Sequence, residues 1–216
     1  MPKRKFSLQE KGPKRLELSW GFSWKNMVIR LDGAEIGKIA NQKDLKAGQE
    51  FALKDGSKLS VRLIQIQGLF PDLEVLLNGK PVPNSATDPK RQLANAYGSI
   101  YFIAGGNLLI GIIGIALIAT GSQNEFFNIT TVLVFLLFGA LYLLLGFLVW
   151  KRFSSALWVA IALFVLDTVL SLADAVGSSN SRFPVGAIIF RTILLLLMIQ
   201  GFGAIRSLKS ARFEQS

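Results

Sequence analysis

Four apolar runs, residues 97–119, 129–150, 156–176 and 185–208, occupy most of the second half of the chain. A helix rises about 1.5 Å per residue, so about 20 residues cross the roughly 30 Å hydrocarbon core of a bilayer. Runs of this length and polarity predict four transmembrane helices. The connections at 120–128, 151–155 and 177–184 are short, and short connections join antiparallel neighbours. The expected helical part is an antiparallel four-helix bundle.

Three charges interrupt the last two runs: Asp167, Asp174 and Arg191. An ionised side chain at mid-membrane costs at least about 2.5–3.5 kcal/mol and is normally paired, facing protein or water. Residues seven apart share a helix face, so Asp167, Ser171 and Asp174 lie on one side. Arg191 lies six residues into the returning helix, roughly 9 Å deep, level with the space between the two aspartates. The sequence predicts an intramembrane polar cluster of Asp167, Ser171, Asp174 and Arg191, with Asn107 of the first run reaching the Asp167 face. Two readings are open: an ion pair that fixes helix orientation, or a polar path or binding site. Gln200, and Asn107 in its simpler reading, join helices by hydrogen bonding.

Orientation follows from the basic residues near the helix ends. With both termini inside, that side holds Lys90, Arg91, Lys151, Arg152, Arg206, Lys209 and Arg212, and the outside holds Arg182. Excess Lys and Arg mark the cytosolic side. Trp150, Lys151, Arg152 and Trp158 form the expected membrane-interface anchors. The expectation is a multi-pass protein of the plasma (inner) membrane with cytoplasmic N- and C-termini. The glycines at 98, 105, 106, 111 and 114, with Gly139 and Gly146, let helices approach closely, although no strict GxxxG occurs. Asn128-Ile129-Thr130 matches a glycosylation sequon at the membrane edge and is read as coincidence.

The first half of the chain is different. Residues 1–96 hold 17 Lys/Arg and 10 Asp/Glu, whereas residues 97–216 hold 7 and 4. This change marks a domain boundary. Residues 1–15, with six basic side chains against Glu10, read as a disordered basic arm, with two alternatives open: a solvated tail or contact with anionic lipid. Phe6 alone interleaves the run, so nucleic acid is not an expected partner. The segment 1–24 lacks the apolar stretch of a signal peptide.

Residues 16–83 alternate as strands do: Leu16 and Leu18; Met27, Ile29 and Leu31; Leu59, Val61 and Leu63; Leu73, Val75 and Leu77. Asp32-Gly33, Asp55-Gly56 and Asn78-Gly79 supply hairpin turns. About six strands are expected, as an antiparallel meander, a sandwich or a partly open barrel. Ile64 and Ile66 break the phase after Leu63, which predicts a bulge or a strand covered on both faces. Trp20 and Trp24 read as core or interface aromatics. Residues 84–96, with Pro81, Pro83 and Pro89 nearby, read as a linker in which a helix starts soon after Pro89. Residues 209–216 form a cytosolic tail.

This strand pattern with its Asp-Gly and Asn-Gly turns resembles the small all-β domains of the Fas apoptotic inhibitory molecule family over about half of its length. No activity or site follows from that likeness. The whole pattern is similar to uncharacterised bacterial membrane proteins that join a small N-terminal β-domain to a helical bundle.

The chain contains neither Cys nor His. That excludes thiol nucleophiles, His-based triads, and zinc or haem held by His or Cys. The two aspartates, about 10 Å apart along one helix, are too distant to share a proton as a protease dyad does. No catalytic, cofactor-binding or metal-binding residue is expected. The functional expectation is a non-enzymatic integral membrane protein whose cytosolic β-domain binds a protein partner or scaffolds. The alternative is a small transporter or channel-like subunit that self-associates and uses the Asp/Arg cluster.

Overall fold

The computed structural model describes residues 1–66, 70–121, 127–177 and 185–213, with the backbone alone at 66, 70, 174–177, 212 and 213. The chain divides into two compact units, Met1–Gln92 and Leu93–Ser216.

The first unit is an antiparallel β structure of two four-stranded meanders. One sheet contains β1 (Lys3–Phe6), β2 (Leu16–Ser19), β3 (Met27–Leu31) and β4 (Ala34–Ile39). The helix α1 (Gln42–Ala47) leads to the second sheet, β5 (Gln49–Ala52), β6 (Lys58–Ile66), β7 (Phe70–Leu77) and β8 (Lys80–Pro81). Period-two alternation sends Leu16, Leu18, Met27 and Ile29 from one sheet, and Leu59, Val61, Leu73 and Val75 from the other, into one shared core. The two sheets thus face each other as a small sandwich. Asp32 and Gly33 have φ of 52° and 82°, and Asn78 and Gly79 have φ of 50° and 77°. These are the paired positive φ values of tight hairpin turns. At Asp55-Gly56 the glycine alone is positive, and the turn closes through Leu53 N to Ser57 O at 2.8 Å.

Three expectations from the sequence need correction. Residues 1–15 are not a solvated arm throughout, because β1 pairs with β2 from Lys3 opposite Ser19 to Phe6 opposite Leu16. Phe6 is buried in the core. The positive charges are met by acids distant in sequence: Arg4 reaches Asp72 at 2.6 Å and Lys5 reaches Glu17 at 3.2 Å. Residues 84–88 are not a loose linker. Ala86 N donates to Leu73 O at 2.9 Å, Val75 N donates to the Ser85 hydroxyl at 3.2 Å, and Asp88 accepts from Lys90 N at 3.0 Å. Asp88 caps a helix whose first residue is Pro89, where a fixed φ and a missing N–H cost nothing. Finally, β6 and β7 pair without interruption from Leu59 opposite Leu77 to Ile66 opposite Phe70. The register shift lies instead between Ile29 and Arg30 in the β3–β4 pair.

Four long apolar helices follow: α2 (Pro89–Ala119), α3 (Ile129–Trp150), α4 (Ser154–Gly177) and α5 (Val185–Phe213). All four are long and apolar enough to cross a membrane. Asn128, part of the sequon, caps α3 by accepting from Thr131 N at 3.0 Å. The glycines set how close α2 and α3 come. Leu108 sits over Gly139, Leu136 over Gly111, Val132 over Gly114 and the Tyr101 ring over Gly146, each within 2.9 Å of where a Cβ would stand. Gly98, Gly105 and Gly106 face open space. The core of this unit includes Ile100, Tyr142, Leu157, Phe164, Met198 and Ile205.

Candidate functional site

The polar cluster is built by the facing sides of α4 and α5. Asp167 stands at mid-helix, ten residues or about 15 Å before the end of α4. Arg191 stands six residues after the start of α5. Antiparallel packing brings the two together: Arg191 Nη1 donates to Asp167 Oδ2 at 2.8 Å and to the Thr168 hydroxyl at 3.1 Å. Nη2 donates to the Ser171 hydroxyl at 3.2 Å. Ser171 in turn donates to Asp167 O at 2.8 Å, the local back-bond that Ser makes within helices. The Phe164 ring lies 6.0 Å from the guanidinium carbon, within cation–π reach.

The sequence-predicted residues divide three ways. Asp167, Ser171 and Arg191 are joined as expected. Asn107 is not brought to them by its hydrogen bond, because its amide donates to Ile103 O of its own helix at 2.9 Å. A carbonyl one turn back is always within reach of a helical Asn, and here it prevails over the distant acid. The Asp174 side chain lies outside the described residues, as do Arg182 and the Arg212 side chain.

Two participants were missed from sequence. Thr168 follows Asp167 directly, and its hydroxyl also donates to Phe164 O at 2.7 Å. Tyr142 of α3 is buried, and its hydroxyl has no hydrogen-bond partner. It lies within electrostatic range of both Asp167 and Arg191. Nothing in the apolar run around Tyr142 signals this. Both amide atoms of Gln200 on α5 are likewise buried without a partner. Unpaired buried polar atoms are uncommon and costly. Arg191 is 27% exposed and Asp167 is 53% exposed, so the pair lies open on one side rather than sealed in the core.

The side chains expected at the membrane interface make two separate sets of contacts. Lys151 Nζ lies 4.8 Å from the Trp150 ring and 5.5 Å from the Phe147 ring. Trp158 packs on Phe202 at 4.7 Å. Arg152 takes φ of 67° in the tight α3–α4 turn.

The first unit carries a different feature. Among its described residues, the exposed large apolar side chains are Met1 and Phe22. Both lie near one end of the first sheet, where Trp20 N donates to Pro2 O at 3.1 Å. Trp24 stacks on Trp20 with ring centres 4.6 Å apart. Ser23, Trp24 and Asn26 take φ of 58°, 63° and 50°. Left-handed backbone costs about 1–3 kcal/mol per non-glycine residue and concentrates at functional sites. Elsewhere on this unit, Asp72 accepts from both Arg4 and Arg91 at 2.6 Å.

Three acids of the first unit titrate below their ordinary values. Glu10 is lowered chiefly by hydrogen bonding to Lys90, Asp32 by Arg15, and Asp55 by the Ser57 hydroxyl and amide. Their unfolded values are 4.5 for Glu10 and 3.8 for the aspartates. A depressed folded value contributes stability that is complete above the unfolded value and lost as pH falls through the folded one. Amide protection in this unit is therefore expected to decline slightly below about pH 4.5, and hydrogen exchange across an acid series measures it. The effect is small because all three groups are solvent-screened.

Among the described residues, no cluster of three Asp or Glu offers a metal site. No family model, curated protein or solved structure matches the chain. The likeness of the β unit to the Fas apoptotic inhibitory molecule family accordingly carries no family assignment.

Proposed function

We propose that this chain is a four-span integral membrane protein of the plasma (inner) membrane, non-enzymatic, whose cytosolic β unit binds a protein partner. The carrying observation is where apolar surface is exposed. In the β unit it is confined to Met1 and Phe22 among the described residues. On the helices it includes Phe102, Leu109, Ile112, Leu137, Leu144, Val169 and Leu170. Patches of that extent on a water-soluble bundle would drive aggregation, whereas hydrocarbon accepts them. The bias of Lys and Arg toward the side holding both termini supports the orientation. In this reading the Asp167–Arg191 pair locks the α4–α5 hairpin, and the strained aromatic tip at Trp20, Phe22 and Trp24 is the partner-binding surface.

The chain has no cysteine, so single-cysteine variants test the arrangement in intact cells. An impermeant maleimide is expected to label Thr120→Cys directly, and Gln9→Cys only after permeabilisation. The reverse pattern would overturn the orientation. Cross-linking of a cytosolic partner should be lost in Phe22→Ser while the β unit stays folded; retention would remove the tip from the reading.

The open side of the Asp167–Arg191 pair and the unpartnered Tyr142 hydroxyl favour a second reading, a path for an ion or proton. Proteoliposomes decide between the two. On the first reading no flux accompanies the wild type, and Asp167→Asn lowers thermal stability. Flux in the wild type that disappears in a stable Asp167→Asn variant would establish transport.

A further inference from the structure

Residues opposite one another in a sheet share a face, and neighbours along a strand alternate between faces. In the first sheet Phe6, Leu16, Leu18 and Ile29 take the core side. Lys5 stands opposite Glu17 and Glu17 opposite Arg30, so these three form one row on the outer side. Arg15 and Asp32 flank that row at the β3–β4 turn, where Asp32 N donates to Arg15 O at 3.0 Å. These five side chains and Lys14 line a groove of about 240 Å³. Four bases thus face two acids, and each acid already has its base. Lys5 Nζ lies 3.2 Å from the Glu17 carboxylate. Arg15 forks onto Asp32, donating through Nε at 2.7 Å and through Nη2. Lys14 and Arg30 make no ion pair among the described residues.

We propose that this groove binds a phosphate monoester. Such a group carries a charge of about −1.5 to −2 at pH 7, which matches the two uncompensated cations. A carboxylate or a phosphodiester, with a single charge, would balance only one of them. Arg30 brings a planar guanidinium, whose fork suits two phosphoryl oxygens, and Lys14 brings a point charge for the third. Arg15 Nη1 and the remaining N–H groups of Lys5 are not spent on the acids and add donors. The backbone is already arranged for this. The sheet holds Arg30, and Arg15 N donates to Pro13 O at 3.0 Å, closing a tight turn with Lys14 at its centre. A preformed groove binds without the cost of ordering a loop. The monoester has two sources, the headgroup of a lipid or a soluble phosphorylated compound, and both present the same oxygens. The groove lies wholly within the β unit and asks nothing of the helices.

The test uses the full chain in detergent micelles. Native mass spectrometry measures binding of phosphatidic acid, a lipid monoester, and of phosphatidylglycerol, a diester. Calorimetry measures glycerol 3-phosphate, the same monoester without the acyl chains. The wild type is expected to bind a monoester and to prefer phosphatidic acid over phosphatidylglycerol. Arg30→Gln and Lys14→Gln are each expected to weaken monoester binding about tenfold, the worth of a charge-assisted hydrogen bond. Thermal stability without ligand should stay unchanged in both, because neither base has an ion pair to lose. Lys80→Gln removes the same charge from β8 in the other sheet, and is expected to leave binding as it was. Tight binding of phosphatidic acid with weak binding of glycerol 3-phosphate would assign the groove to a lipid headgroup; comparable binding of the two would assign it to a soluble compound. A wild type that binds neither monoester would overturn the proposal. So would phosphatidylglycerol bound as tightly as phosphatidic acid, or equal losses in Lys80→Gln and Arg30→Gln, either of which would leave net charge as the whole cause.

Discussion

Phe6→Ala should destabilise the β unit by about 3–5 kcal/mol, the usual cost of truncating a buried aromatic. Phe6 is 1% exposed and terminates β1 opposite Leu16. The Arg4 guanidinium carbon lies 5.2 Å from its ring centre. Truncation removes the ring from the core cluster that also holds Leu16 and Leu18 and leaves a cavity that flanking strands fill only in part. It also releases the hold on β1, an edge strand of four residues. Protection of the β2 amides against hydrogen exchange, measured in the full chain, is expected to fall by about two to three orders of magnitude, each order being worth about 1.4 kcal/mol. Lys5→Ala, on the opposite face of the same strand, is expected to change little, because its bond to Glu17 is a surface pair. If both substitutions leave protection unchanged, residues 1–15 behave as the solvated arm that composition predicts.

That arm shows where sequence reading reaches its limit. The alternation of Leu16 and Leu18, or of Leu59, Val61 and Leu63, is local, and the strands it predicts are present. The Asp-Gly and Asn-Gly turns are local as well. The charges of Arg4 and Lys90 are explained only by Asp72 and Glu10, which lie 68 and 80 residues away. A run of cations whose partners are that distant looks unpaired in sequence. The helices were legible for the opposite reason: length and polarity alone decide whether a segment suits hydrocarbon. The α4–α5 pairing of Asp167 with Arg191 was legible too, since a hairpin fixes which depths coincide. Tyr142 was not, because its role depends on the rotation of α3, and an all-apolar run carries no signal of rotation. Asn107 failed on a question of competition, in which the nearby Ile103 carbonyl prevailed over a charge on another helix.

Rotation of α3 is set by its glycines, and Gly139→Leu tests that claim. A Cβ at Gly139 would stand 2.6 Å from Leu108 Cγ and 3.1 Å from Leu108 N. The side chain of Leu108 can turn aside, but its backbone nitrogen cannot. The helices must therefore separate, and the contacts of Leu136 with Gly111 and of Tyr101 with Gly146 loosen together. Overpacking costs about 1–3 kcal/mol where side chains can adjust, and the backbone contact puts this substitution at the upper end or above. Gly106→Ala, on α2 but facing open space, should have the opposite sign: about 0.8–1 kcal/mol of stabilisation, the intrinsic helix preference of Ala over Gly. Thermal unfolding in bicelles compares the two. Tyr142 lies between Gly139 and Gly146 and is buried among the helices, so the same wedge should draw its hydroxyl away from Asp167 and Arg191. The two effects can be separated. Tyr142→Phe removes the hydroxyl and keeps the packing, and because that hydroxyl has no hydrogen-bond partner, the substitution should be neutral or slightly stabilising. A large loss of stability in Tyr142→Phe would mean that the hydroxyl bonds to the Asp167–Arg191 cluster, and the interior of the bundle would then be polar where α3, α4 and α5 meet.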